Sequence, residues 1–448
     1  MKAAPASWAA AAAAILSLPL CSALDASAPP PPPPSDKMAP GDEHQTIPYG
    51  AHLLELIGRG VLHGQPPFVT TDPNKLEAQA QKLMPTKGYD YIRSGAGESS
   101  TMDANRLAFR QWKIIPRVLQ PTNPRDLSVT LFGHKYDTPV VMAPIGLHAL
   151  YHPDKEIGTA RACAALNVPF TLSTAASTGI EELVEGSPDG AKWFQLYWPT
   201  DEELTASILR RARSSGYRVL VVTLDTWTLA WRPRDIDTAN LPPLLGIGDD
   251  VGFQDPVFRS RFAQASDGAR PEDQKVAAGA MWTRLTYPGV SHSWDELAIL
   301  RRHWDGPIVL KGILSVDDAR LAVQHGMDGI IVSNHGGRQI DGAVATLEVL
   351  PDIVDAVGGQ ISVLVDSGIR TGADIVKALA LGAKAVFVGR PVVYGLGING
   401  TAGAQSVLHG LLADLDLTMG FAGVKRVSDL QRSLLRRVQY PGDVRANI

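Results

Sequence analysis

From Val140 onward, short apolar runs recur along the chain: Val140–Pro144, Phe170–Ser173, Trp193–Leu196, Val219–Thr223, Ile308–Leu310, Gly329–Val332, Ser362–Val365 and Ala385–Val388. Segments with helical spacing separate most of them, among them Ile157–Leu166, Glu202–Ser214, Val316–His325 and Gly372–Leu381. A strand that is apolar at successive positions is covered on both faces. Its alternation with amphipathic helices predicts a parallel sheet wrapped by helices. Eight such units predict a closed (β/α)8 TIM barrel, an α/β fold, because a doubly wound open sheet usually has fewer strands. No G-x-G-x-x-G follows the first run, which also argues against a dinucleotide-binding sheet.

The rhythm breaks once. About eighty residues separate Asp225 from Pro307, far more than a connection after strand 4 needs. This stretch, 226–307, is rich in Pro, Gly and Trp and leaves from the strand ends, so it is expected to be a long active-site loop acting as a lid. Ahead of the barrel domain (118–448), residues 44–117 read as an N-terminal helical cap rather than a separate domain. Within it, Pro73 opens a helix with Leu76, Ala80, Leu83 and Met84 on one face, and Pro85 closes it. Folded structure is expected from near His44.

Residues 1–23 have the layout of a secretory signal peptide: Lys2, an apolar stretch from Trp8 to Leu20, then Cys21-Ser22-Ala23. That stretch is short for a bilayer span. The first arginine is Arg59, which argues against a mitochondrial leader. The segment 24–43, with its proline run Pro29 to Pro34, is a stiff linker unable to join a core. The two cysteines are Cys21 and Cys163, so cleavage would leave one and no internal disulfide. Asn399-Gly400-Thr401 is a sequon for a secreted glycoprotein. Composition is globular, 45% apolar and 20% charged, and a net charge of -4 without a basic stripe excludes a nucleic-acid partner.

The chemistry of such a barrel sits where its strands end. Here the runs end in Gln195 and Tyr197, Asp225, Lys311, His335 with Arg338, Asp366 with Arg370, and Gly389-Arg390. So many polar and ionisable groups on one rim predict an active site. The loop Asp366-Ser367-Gly368-Ile369-Arg370-Thr371-Gly372 leads into a helix, and Gly389-Arg390 follows the last strand. Backbone N–H groups at a helix start, aided by arginine, suit a phosphate. In Ser333-Asn334-His335-Gly336-Gly337-Arg338 the glycines let the backbone approach a ligand, and His335 is suited to take a proton near neutral pH. Arg232 and Arg338 could grip a carboxylate through paired hydrogen bonds.

From about Tyr89 to the C-terminus the chain resembles the FMN-dependent 2-hydroxy acid oxidases and dehydrogenases. The most specific match is Ser333-Asn334-His335-Gly336-Gly337-Arg338-Gln339. It is supported by Tyr89-Asp90-Tyr91, Phe194-Gln195-Leu196-Tyr197, Thr223-Leu224-Asp225-Thr226, Lys311-Gly312, Asp366-Ser367-Gly368-Ile369-Arg370 and Gly389-Arg390-Pro391. Within the family, the stretch from Asp225 to Asp235 and the long segment after it look most like lactate 2-monooxygenase.

The resemblance implies FMN as cofactor, no metal, and a homo-oligomer, tetramer or octamer. It implies that His335 is the base and Asp225 the stabiliser of its protonated form. Arg232, Arg338 and Tyr91 would hold the substrate carboxylate, with Tyr197 at the reacting hydroxyl. Lys311 would face the N1/O2 edge of the flavin. Ser173, Gln195 and Thr223 would bond the ring, with backbone around Pro144, Ile145 and Gly146, and Ser333 is included among the cofactor residues. Asp366 would take the ribityl chain, and Ser367, Gly368, Arg370, Gly389 and Arg390 belong to the phosphate end.

Against the glycolate-oxidase pattern, Ala175 stands in place of Trp, Ile145 in place of Thr and Trp231 in place of Arg. Gly146 is expected to leave space beside the flavin in which the keto product could linger with peroxide. The expected reaction is oxidation of an L-2-hydroxy acid to the 2-keto acid by molecular oxygen, with oxidative decarboxylation as its lactate 2-monooxygenase-like form. The alternative is a dehydrogenase that tailors a larger natural product with another acceptor.

Overall fold

The eight apolar runs are the eight strands of a closed parallel barrel: β1 (Val140–Met142), β2 (Phe170–Ser173), β3 (Lys192–Tyr197), β4 (Leu220–Thr223), β5 (Ile308–Ile313), β6 (Gly329–Val332), β7 (Ser362–Val365) and β8 (Val386–Val388). Neighbours pair in sequence order, and β8 closes on β1 through Val386↔Val140. This is a computed structural model, which describes residues 48–439. The expected signal peptide, the proline-rich linker and His44 lie outside those residues.

Alternation along each strand sorts its side chains into two apolar layers. Val141, Trp193, Val221, Val309, Ile331 and Phe387 fill the interior, whereas Val140, Leu172, Phe194, Val222, Ile330 and Val363 pack outward among the helices. A hairpin of Val129–Leu131 and His134–Tyr136 packs with the interior layer, Phe132 lying edge-on to Trp193 at 5.8 Å. Trp193 Nε1 donates to the Tyr136 hydroxyl at 3.2 Å, so the buried indole N–H is satisfied. The helices begin where side-chain caps allow. Asp201 accepts from Leu204 N ahead of Glu202–Ser214, Ser315 from Asp318 N ahead of Val316–Gln324, and Thr371 from Asp374 N ahead of Gly372–Ala380.

Two expectations need correction. In the helix Leu76–Leu83, Leu76 and Ala80 are buried with Met84 just beyond, but Leu83 is half-exposed at the edge of the stripe. The stretch after β4 is no irregular loop. It folds into Pro233–Asp237, Pro242–Leu245, Asp250–Phe253, Pro256–Ala265, Lys275–Thr286 and Leu297–His303. Phe258, Phe262 and Trp282 pack there as an aromatic cluster continuous with the main core.

The helices of the cap belong to the same unit as the barrel. Trp112–Ile114 pairs with Leu435–Arg437, tying the cap to the chain's last strand. Cys163 is a buried free thiol. Asn399 is exposed at a break between two helical stretches, where Thr401 donates to Asp154.

Candidate active site

The strand ends and the segment after β4 enclose one cavity. Tyr91, Tyr197, Arg232, Lys311, His335, Arg338, Asp366, Arg370 and Arg390 all line it. Of the residues singled out from sequence, these therefore meet as expected, together with Pro144, Ile145, Gly146, Ser367, Gly368 and Gly389. Leu229, Arg232 and Tyr287 from the stretch after β4 form part of the wall.

At one end sits His335, whose backbone is left-handed (φ 56). The Ser333 hydroxyl fixes that turn, accepting from His335 N at 3.1 Å and from Lys311 Nζ at 3.1 Å. His335 Nδ1 lies 2.7 Å from Asp225 Oδ1, so Nδ1–H donates to the ionised carboxylate and Nε2 is left as the basic atom. Burial pushes the imidazole below its ordinary value, as do Lys311 and Arg232, while Asp225 opposes them. Burial alone would raise the Asp225 carboxyl, but His335, Lys311 and two hydrogen bonds outweigh it and hold it well below the usual carboxylate range. Gly312 makes room for this pair, since a Cβ there would lie 2.9 Å from Asp225 Cβ.

A residue to which sequence reading gave no role completes the arrangement. The Thr226 hydroxyl donates to Asp225 Oδ1 at 2.9 Å and lies 3.0 Å from His335 Nδ1. Its only signal was its place after Asp225 in the matched string. Thr226→Val is expected to slow flavin reduction about tenfold, the worth of one hydrogen bond to a charged group. Because the carboxylate loses a competing donor, it favours the imidazolium more strongly. The acid limb of kcat/KM should therefore move to higher pH, which a purely structural role for Thr226 would not produce.

Beside His335 stand two guanidiniums, Arg232 buried and Arg338 half-buried. Arg232 donates to Arg338 O at 2.9 Å and to Gln339 Oε1 at 2.6 Å. Arg338 donates to Tyr91 O at 2.8 Å and Ser94 O at 2.5 Å, and lies over the Tyr91 ring at 5.0 Å. Burial lowers the Arg232 pKa and Arg338 lowers it further, as expected of two like charges waiting for an anion.

The same cavity holds two further cations. Arg370 and Arg390 line the cavity, and among the described residues neither makes an ion pair with a carboxylate. Burial, then the neighbouring arginines, push Arg390 down to about 9. Arg390 begins the helix after β8, and Ser367 and Gly368 turn the loop after β7 with left-handed backbones. Two uncompensated buried cations beside a helix N-terminus fit a phosphate. The residues present therefore suit FMN at its tail.

Three further expected cofactor residues bond one another at the strand ends. Gln195 accepts from Ser173 Oγ at 2.8 Å and donates to Thr223 Oγ1 at 3.0 Å, so the three form a buried row across β2, β3 and β4. Gly146 leaves no open space: a Cβ there would lie 2.2 Å from Ala175 O. The room beside it is filled by the Ala175 backbone. Gly248 packs against Leu147 and the Ala175 carbonyl, a Cβ there lying 2.8 Å from Ala175 O. Ile145 packs over Gly389 and brings no polar group. Among the described residues, no cluster of three or more His, Cys, Asp or Glu is placed to hold a metal ion.

Comparison with known proteins agrees with this geometry. The sequence profile of the FMN-dependent dehydrogenases matches residues 80–437. The FMN-dependent alpha-hydroxy acid dehydrogenase qulF of Penicillium citrinum is 50% identical over 89% of this chain and 98% of its own. The L-lactate oxidase of Lysinibacillus sphaericus is 40% identical over 82% and 92% of the two chains. A mandelate oxidase structure with a C4a-OH-FMN adduct superposes with a TM-score of 0.68 at 35% identity, covering 80% of this chain and 97% of that one. The profile over residues 80–437 and these relatives show that this chain belongs to the FMN-dependent 2-hydroxy acid oxidoreductases.

Proposed function

We propose that the protein oxidises an L-2-hydroxy acid to the 2-keto acid with molecular oxygen as acceptor. The observation that carries this reading is His335, bonded to Asp225, sharing one cavity with Arg232 and Arg338. The guanidiniums and Tyr91 hold the substrate carboxylate, which brings its α-carbon and hydroxyl against Nε2. Tyr197, at the same wall, orients the hydroxyl. His335 accepts the proton the substrate gives up, and Asp225 stabilises the resulting imidazolium. FMN, when bound, supplies the acceptor for the substrate's two electrons. Arg370, Arg390, Ser367, Gly368 and Gly389 would hold its phosphate, and Asp366 its ribityl chain. Lys311, Ser333 and the row of Ser173, Gln195 and Thr223 would border its ring with the backbone of Pro144–Gly146.

Relatives named as oxidases support oxygen as the acceptor. The name of the Penicillium citrinum relative supports a second reading, a dehydrogenase with another acceptor. Anaerobic addition of L-2-hydroxy acids to the yellow protein should bleach it. Admitting air should then restore the colour within seconds and give one equivalent of peroxide per turnover. Slow recolouring would favour the dehydrogenase. Carbon dioxide release with peroxide below one equivalent would reveal decarboxylation of the keto product.

A further inference from the structure

Tyr151 follows the short turn His148–Leu150 and lines the same cavity as Tyr91, His335 and Arg338. Its side chain is 1% exposed, and its hydroxyl has no hydrogen-bond partner in the structure. Buried phenols normally find one. The ring has little freedom to look elsewhere. His148 stands at 5.7 Å on one side. The helix that carries Tyr91 packs against the other, where a Cβ on Gly88 would lie 2.1 Å from Leu150 O and 3.4 Å from Tyr151 Cδ1.

The neighbouring charges narrow what the hydroxyl can meet. Burial, then Tyr91, raise its pKa well above the ordinary value, so at working pH it is a donor. Arg338 offers no acceptor. The Glu156 carboxylate is already bonded to His148 N, Ser177 N and Thr178 Oγ1. Asp235, whose Oδ1 also lacks a partner, could be reached through a water. A carboxylate offers about four lone-pair sites, and Arg232, Arg338 and Tyr91 need not fill them all.

We propose that Tyr151 is a further substrate-binding residue, its hydroxyl donating to the carboxylate of the 2-hydroxy acid beside Arg338 and Tyr91. The inference rests on the cavity being the hydroxy-acid site.

Tyr151→Phe keeps the ring and removes the donor, so FMN content and thermal midpoint should stay close to wild type. In the FMN-loaded enzyme, KM for the acid that bleaches it best should rise about tenfold or more, with kcat changed less than about twofold. Pyruvate, titrated through the flavin absorbance, should bind about tenfold more weakly, and pyruvamide, which lacks the carboxylate charge, nearly as before. If KM and pyruvate affinity stay within about twofold of wild type, the hydroxyl meets only a resident water and the proposal falls. If no 2-hydroxy acid bleaches the wild-type enzyme, it is the functional reading that fails, a separate result.

Discussion

His335→Ala is expected to retain FMN and to slow flavin reduction by a 2-hydroxy acid by roughly 10²- to 10⁴-fold, the range typical of a lost general base. The residue is placed for that role and little else. Its Nδ1 is bound to Asp225 at 2.7 Å, its backbone sits in a left-handed turn, and its ring faces the cavity. Alanine disturbs neither Arg370 nor Arg390, so cofactor content should not change.

The pH profile gives a second signature of the same residue. Burial places the imidazole below its ordinary value of about 6.5. The competent form is the neutral one, so kcat/KM should be flat near neutrality and fall only as pH drops through that lowered value. In His335→Ala the residual rate should lose this limb. Stopped-flow bleaching under anaerobic conditions measures both, and near-normal reduction in the variant would remove His335 from the mechanism.

Much of this architecture was legible beforehand because burial on both faces writes itself into a strand as a continuous apolar run. Phe170–Ser173, Gly329–Val332 and Ser362–Val365 are strands within the limits the pattern predicted, and Glu202–Ser214 is a helix within its own. Residues at the ends of those runs were legible too, because a polar group ending an apolar strand has few reasons to be there. The chain's side-to-side relations were not. Nothing in the row Ser173, Gln195 and Thr223 says that the three bond one another, since that depends on the register of β2, β3 and β4. Nothing in Gly146 says that the carbonyl of Ala175, 29 positions away, fills the space above it. Tyr151 and Tyr287 belong to no strand end, and only folding brings them to the wall. The helices after β4 were missed because proline and glycine there suggested loop, while aromatic anchors such as Phe258 and Trp282 are spaced too irregularly to show a period.

Arg390→Met should fold but hold FMN on the order of 10- to 100-fold more weakly, as expected for charge-assisted hydrogen bonds to a phosphate. The argument is electrostatic. Burial and the neighbouring arginines already disfavour this cation, holding it near 9, so it is still charged at neutral pH and lacks an anion. A phosphate dianion between Arg370 and Arg390 relieves both penalties, whereas riboflavin, without the phosphate, relieves neither. Wild type should therefore prefer FMN to riboflavin strongly, and the variant should narrow that preference. Arg390 has a second task, donating to Ile92 O and Gly336 O and so joining the cap to the His335 loop. Arg370→Met separates the two, since among the described residues the Arg370 guanidinium donates to its own neighbour, Ile369 O. If Arg370→Met also weakens FMN and spares riboflavin, the loss belongs to the phosphate. If both variants bind FMN and riboflavin as wild type does, these arginines do not form the phosphate site.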